Sequence, residues 1–199
     1  AMSDAVDVPV TVKTRLGIDD QDSYEFLHGF VGTVAEAGCR TFIVHARKAW
    51  LSGLSPKENR EIPPLDYARV HRLKEDYPKL EVIINGGLTS EQQILEQLEH
   101  VDGVMLGRHA YHDPYVLAKL NRILFGDTPL PCREDVLTTF LPYLHREIRR
   151  GTSLKSMTRH LMGLYAAQPG GRRWRRFLSE LPHGEEGLAV LTEHLRVTA

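Results

Sequence analysis

Residues 80–92 read LEVIINGGLTSEQ. Val82, Ile83 and Ile84 form a β-branched apolar run, long enough for a buried strand and too short for a helix. Asn85-Gly86-Gly87 then leaves the backbone nearly bare. Thr89-Ser90-Glu91-Gln92 follows with a hydroxyl cap, an acid and an amide, the pattern of a helix start. Strand, bare turn and helix are thus compressed into one short stretch. The turn has two readings: a tight connection and nothing more, or a backbone cradle for an anion at a helix N-terminus.

The same unit recurs on both sides. Residues 9–17 (PVTVKTRLG), 40–47 (RTFIVHAR) and 102–108 (DGVMLGR) are further strand-like runs. Helical patterns separate them. Residues 22–37 place Phe26, Phe30, Val34 and Ala37 on one face, with Gly38 as the stop. Residues 65–77 form a second helix ended by Pro78, the stretch after Ser90 puts Ile94, Leu95 and Leu98 on an apolar face, and residues 111–125 form a fourth. Strand–helix alternation with apolar strands predicts a parallel sheet covered by helices. It is either doubly wound or a (β/α)8 barrel. A TIM barrel takes eight such units and ~250 residues; four are visible. The expectation is therefore an α/β chain: the C-terminal half of a (β/α)8 TIM barrel over residues 1–126, its first half absent from this chain. After the turn-rich GDTPLPCRED (126–135) the pattern is helical throughout, so 127–199 is expected to be an all-α helical domain.

Composition narrows the class. A chain of 199 residues with 42% hydrophobic content can bury a core, which excludes a disordered polypeptide. No window is apolar enough to span a bilayer and no secretory signal is visible, so a cytoplasmic location is expected. Cys39 and Cys132 make neither a disulfide framework nor a metal site. The net charge of −1 hides an asymmetry, because residues 133–199 carry 11 Lys/Arg against 7 Asp/Glu while the rest is acidic. An acidic body with a basic tail points to a polyanion gripped partly by the tail.

In parallel α/β folds function gathers where strands end, and each strand here ends in something unusual for a core. The first ends in Lys13-Thr14-Arg15, two cations on one side of a strand, explained by an anionic or polar ligand or by a salt bridge to Asp19 or Asp20. The second ends in His45-Ala46-Arg47-Lys48 and enters a loop too long for a routine connection. That loop carries Lys48, Trp50, Lys57 and Arg60, and reads as a solvated surface or as a contact for a large anion. The third is Asn85-Gly86-Gly87, and the fourth Gly107-Arg108. Glycines for close backbone approach and an arginine for a bidentate contact, on adjacent strands, make a phosphate site. In the tail, Arg172-Arg173-Trp174-Arg175-Arg176 interleaves an aromatic with four cations, either a solvated helix face or a contact for an RNA backbone.

VPVTVKTRLGIDD, GCRTFIVHARKAWLSGLSPKENREIPPLDY, VIINGG, GVMLGRHAYHDPY and SMTRHLMGLY…QPGGRRWRRFLSE together resemble the tRNA-dihydrouridine synthases, in the bacterial branch that modifies uridines 20 and 20a of the D-loop. The resemblance covers nearly the whole chain. It implies an FMN-binding barrel followed by a helical tRNA-binding domain, with NADPH as electron donor. It assigns Lys13 to the flavin ring, His45 to FMN, and Asn85, Gly86, Gly87, Gly107 and Arg108 to the FMN phosphate. Lys57, Arg60, Arg173 and Arg176 are assigned to tRNA, and Arg15 and Arg47 to the neighbourhood of the substrate base. The implied chemistry is reduction of FMN by NADPH, hydride transfer from flavin N5 to uracil C6, and protonation of C5 by a loop cysteine. No cysteine of this chain matches that acid: Cys39 precedes a strand and Cys132 lies in the turn between domains. The chain is accordingly expected to be an incomplete and inactive portion of such an enzyme, able to self-associate or to pair with the missing half. Two alternatives stand beside it, an FMN barrel of the dihydroorotate-dehydrogenase type and a non-catalytic tRNA-binding fragment.

Overall fold

The structure, a computed structural model, describes residues 1–126 and 129–198. The strand–helix alternation is present as β1 (Val12–Arg15), α1 (Tyr24–Glu36), β2 (Thr41–His45), α2 (Tyr67–Asp76), β3 (Glu81–Asn85), α3 (Glu91–Leu98) and β4 (Gly103–Met105). Each helix begins where a short polar side chain can take an orphan backbone donor. Ser23 accepts from the Phe26 amide and Asp66 from the Arg69 amide. At α3, Ser90 and Gln93 form a reciprocal capping box, so the hydroxyl expected to start that helix is Ser90.

All strand pairs are parallel and the spatial order is β1-β2-β3-β4, the order of the sequence. A doubly wound sheet reverses its order at a switch point; this one does not. Successive side chains alternate between faces. Phe42, Val44, Val82 and Ile84, all 0% exposed, occupy the covered face, and α2 packs against β3 and α3 against β4. The opposite face presents Lys13, Arg15, His45 and Asn85, none of them fully buried.

One expectation for α1 is corrected. Its core stripe is Leu27 and Val31, while Phe26 and Phe30 stay 41% and 39% exposed. Both stripes are apolar at helical spacing, so periodicity alone selects the wrong one.

The described residues from 108 onward are helical: α4 (Arg108–His112), α5 (Val116–Phe125), α6 (Arg133–Arg149), α7 (Leu154–Thr158), α8 (Gly171–Glu180) and α9 (Gly184–Thr198). The chain divides into two compact units, Ala1–Gly107 and Arg108–Ala199. The boundary expected after residue 126 adjoins residues 127 and 128, which lie outside the described residues. In the structure α4 and α5 go with the helical unit, for a packing reason. Tyr115 is buried in a cluster with Leu137, Leu144, Trp174 and Leu188, its hydroxyl donates to the Pro131 carbonyl at 2.6 Å, and the Arg133 guanidinium lies 3.8 Å from its ring centre. Among the described residues no helix is long and apolar enough to cross a membrane.

Candidate functional site

Register brings the candidate residues together. Arg15 pairs with His45 and His45 with Asn85 across the carboxyl ends of β1, β2 and β3, so the three stand in one row on the sheet face opposite Phe42 and Val44. Lys13, two residues before Arg15, shares that face. A cavity of about 620 Å³ opens there, lined by Lys13, Arg15, His45, Arg60 and Asn85 against apolar walls that include Ile18, Leu27 and Phe30. That is within the usual range for a small-molecule site.

The polar groups are held in defined directions. Lys13 Nζ donates to Asn85 Oδ1 at 3.0 Å, and Asn85 Nδ2 donates to the Met105 carbonyl at 2.7 Å. The salt bridge to Asp19 or Asp20 considered for Lys13 is not what the amine makes. Burial, and secondarily the Arg15 charge, hold the Lys13 pKa below the usual lysine value. Arg15 is likewise lowered, by burial first and then by the Arg47 and Arg60 charges. Several cations thus converge on one partly desolvated mouth, an arrangement that an anion or a ring of carbonyl oxygens would relieve.

The glycines behave unequally. Gly86 has φ +120° and Gly87 φ +67°, values a side chain resists. A Cβ on Gly86 would sit 2.7 Å from the His45 ring, and one on Gly87 would sit 2.5 Å from Leu65. The Tyr67 hydroxyl donates to the Gly86 carbonyl at 2.7 Å. Turn geometry and packing against His45 and Leu65 therefore account for both glycines without a ligand. Gly107 is different: its φ is not positive, and a Cβ there would meet nothing within 4 Å. Its backbone is open to approach. Arg108, its neighbour in the chain, is the first residue of α4.

The loop after β2 is anchored at several points. One Arg15 nitrogen donates to both the Lys48 and Asn59 carbonyls, at 2.9 and 2.8 Å, and Arg47 donates to the Pro63 carbonyl. The Asn59 amide pairs with both backbone groups of Trp50, accepting at 2.8 Å and donating at 2.6 Å. Lys48 meets Asp22 at 2.6 Å, and that contact holds the Asp22 carboxyl below the usual range. Arg15 and Arg47, considered for a substrate base, spend donors on bracing this loop, which carries Lys57 and places Arg60 on the cavity wall. The residue that sequence reasoning missed is Asn59. Its one signal is an asparagine inside a long cationic loop, and that pattern does not reveal its partner.

In the helical unit the RRWRR run resolves by periodicity. Trp174 is 6% exposed and donates to the Leu161 carbonyl at 2.8 Å, whereas Arg172, Arg173, Arg175 and Arg176 are exposed. The tryptophan is therefore the core anchor of α8 rather than an aromatic offered to RNA. Arg176 pairs with Glu180 at 2.8 Å. Cys39 is buried near the Val10 and Thr41 carbonyls at the amino end of β2. Cys132 is the N-cap of α6, and the hydrogen bond to Asp135 raises its pKa above the usual thiol value. Cys39 does not line the cavity. Among the described residues no group of three His, Cys, Asp or Glu side chains could hold a metal ion. What the mouth can accommodate is a flat, partly apolar ring: Phe30, Leu27 and Ile18 offer wall, while Lys13 and the guanidiniums suit ring carbonyls and negative charge.

The family model described as Dihydrouridine synthase (Dus) matches residues 1–199. The chain is 54% identical over 198 residues to a Vibrio cholerae protein named tRNA-dihydrouridine(20/20a) synthase, covering 98% of this chain and 61% of that one. Proteins of the same name from Shewanella oneidensis and Escherichia coli K12 are 57% identical over 184 residues and 56% over 196. These matches cover 92% and 98% of this chain, and 55% and 57% of those proteins. The chain thus spans somewhat more than half the length of the curated relatives it matches.

Proposed function

The chain belongs to the dihydrouridine synthase family, and on that premise we propose that it forms part of an FMN- and NADPH-dependent enzyme reducing uridine 20 or 20a of the tRNA D-loop to 5,6-dihydrouridine. The four βα units are read as one half of a (β/α)8 barrel, a reading favoured by their sequential strand order.

The observation that carries the proposal is the cavity gathering Lys13, His45, Asn85, Arg15 and Arg60 at the strand ends. Its apolar walls and its cations fit a flavin ring with its carbonyl oxygens. Bound FMN would supply the hydride for uracil C6. Lys13 and His45 are assigned to hold the ring, with Asn85 fixing the direction of the lysine amine. Asn85, Gly86, Gly87, Gly107 and Arg108 are assigned to the phosphate. Of the glycines, Gly107 has the best physical claim, since Gly86 and Gly87 are already required by packing. Lys57, Arg60, Arg173 and Arg176 are assigned to the tRNA backbone. Arg15 and Arg47 act on the substrate through the loop they brace rather than by touching the base. Neither Cys39 nor Cys132 is assigned the proton for C5: Cys39 is buried at the amino end of β2, and Cys132 caps α6.

The test is direct. The purified protein, titrated with FMN and followed by flavin fluorescence, should bind it, and Lys13→Met should weaken that binding roughly 10- to 100-fold, the loss expected for one hydrogen bond to a charged group. With NADPH and an unmodified tRNA transcript, the product of the active enzyme should gain two hydrogens at position 20 or 20a by mass spectrometry. Absence of any FMN binding would sink the reading.

A further inference from the structure

Helix α6 opens with Glu134 and Asp135 and closes with Arg146 and Arg149, a polarity that the helix dipole favours. The dipole does not explain why the last turn gathers its cations around one hollow. His145, Arg146, Arg149 and Arg150 line a shallow concavity of about 590 Å³ with Pro142, and no acidic side chain is on its wall. Glu147, 16% exposed, is shared between Arg146 Nε and Arg150, each at 3.1 Å. One carboxylate holding two guanidiniums leaves the face positive. Beside it Phe140 and Tyr143 stack with ring centres 4.9 Å apart. The Arg146 guanidinium lies 5.2 Å from the Tyr143 ring, which is 38% exposed.

We infer that this end of α6 is a second RNA-contact surface, on which Arg146, Arg149 and Arg150 take backbone phosphates and Tyr143 offers its face to an unpaired base. The inference rests on the tRNA-binding reading and adds to it a place that the motif assignments leave out. Guanidiniums interleaved with an exposed ring suit single-stranded nucleic acid better than an acidic protein, because a nucleotide supplies both a charge and a flat face. Spacing argues against a small anion. Glu134, at the start of α6, lines a cleft together with Arg173 of α8. At 1.5 Å per residue the Arg146–Arg150 turn lies ~18–24 Å further along the helix. That exceeds the ~8–10 Å over which salt lets charges act together, so the two patches make separate contacts along one extended polyanion.

The test is tRNA binding by the purified protein, measured by fluorescence anisotropy across a series of KCl concentrations. Each phosphate contact contributes roughly 0.7–0.9 to the slope of log affinity against log salt. Replacing Arg146, Arg149 and Arg150 together by Gln should lower that slope by about two and weaken low-salt binding at least tenfold. Arg149→Glu alone, which leaves the Glu147 pairings intact, should move both in the same direction if the triple variant fails to fold. Tyr143→Ala should weaken binding several-fold with the slope unchanged. Arg173→Gln with Arg176→Gln should add independently. An unchanged slope in both arginine variants, while the α8 variants lower it, would overturn this surface and leave the tRNA reading standing. No tRNA binding by the unaltered protein at low salt would remove both. Unchanged tRNA binding with lost binding of polyglutamate would reassign the face to acidic protein partners and overturn the RNA assignment.

Discussion

Gly86 and Gly107 look alike in the sequence, each closing a strand beside a polar residue, and the structure separates them. At Gly86 the backbone sits at φ +120° with the His45 ring where a Cβ would be. Gly86→Ala should therefore cost about 1–3 kcal/mol and lower the urea midpoint. Gly107→Ala meets no neighbour and needs no special backbone. It should leave the urea midpoint nearly unchanged while weakening FMN binding. Equal effects of the two substitutions on stability would contradict this distinction. The sequence made the glycine pair visible and left two readings of it open; the close approach at Gly86 comes from a histidine 41 positions earlier in the chain. The same limit applies to Asn59, whose amide clasps Trp50. It applies again to Arg15, whose guanidinium reaches loop carbonyls 33 and 44 residues away. A side chain's type can be read from its letter, but its partner depends on the path of the chain.

Elements were more legible than contacts. The α3 start was readable to within one residue, because a capping box is local chemistry and Ser90 and Gln93 are three positions apart. The α1 stripe was misassigned, because which apolar face goes inward depends on what lies opposite. The first turn of α6 adds a device that no hydrophobic pattern reveals: the Tyr165 hydroxyl donates to Glu134 at 2.5 Å, tying the segment before α8 to the start of α6. That hydrogen bond is the main cause holding the Glu134 carboxyl below the usual glutamate range. A depressed carboxyl pKa stabilises the folded state fully above the unfolded value of ~4.3, and the gain disappears as pH falls through the lower folded value. The melting temperature of Glu134→Gln should thus fall short of the parent's at neutral pH, with the gap closing below about pH 4. A gap that does not vary with pH would point to lost packing instead.

At the scale of the whole molecule, the strand order carries a consequence for local stability. β2 and β3 have ladder partners on both sides, while β1 and β4 end the sheet. In hydrogen exchange, amides of Phe42–Val44 and Val82–Ile84 should be the slowest of the first unit, and those of Val12–Arg15 faster. If β1 exchanged as slowly as β2, a further strand or a second copy would be pairing with it, as self-association requires. The sequence by itself determined the parallel α/β pattern, the helical second part, the charge asymmetry and the family. All of these are local or compositional signals, set by the period of apolar residues, by caps, by charge counts or by residue types at fixed spacing. Only the tertiary structure decided that Trp174 is an anchor while its flanking arginines face solvent. It also decided that α4 and α5 pack with the helical unit, and that Lys13, His45 and Asn85 meet at one mouth. Those outcomes depend on parallel register and on the burial of particular faces, which bring together residues such as Lys13 and Asn85, 72 positions apart, that no local pattern connects.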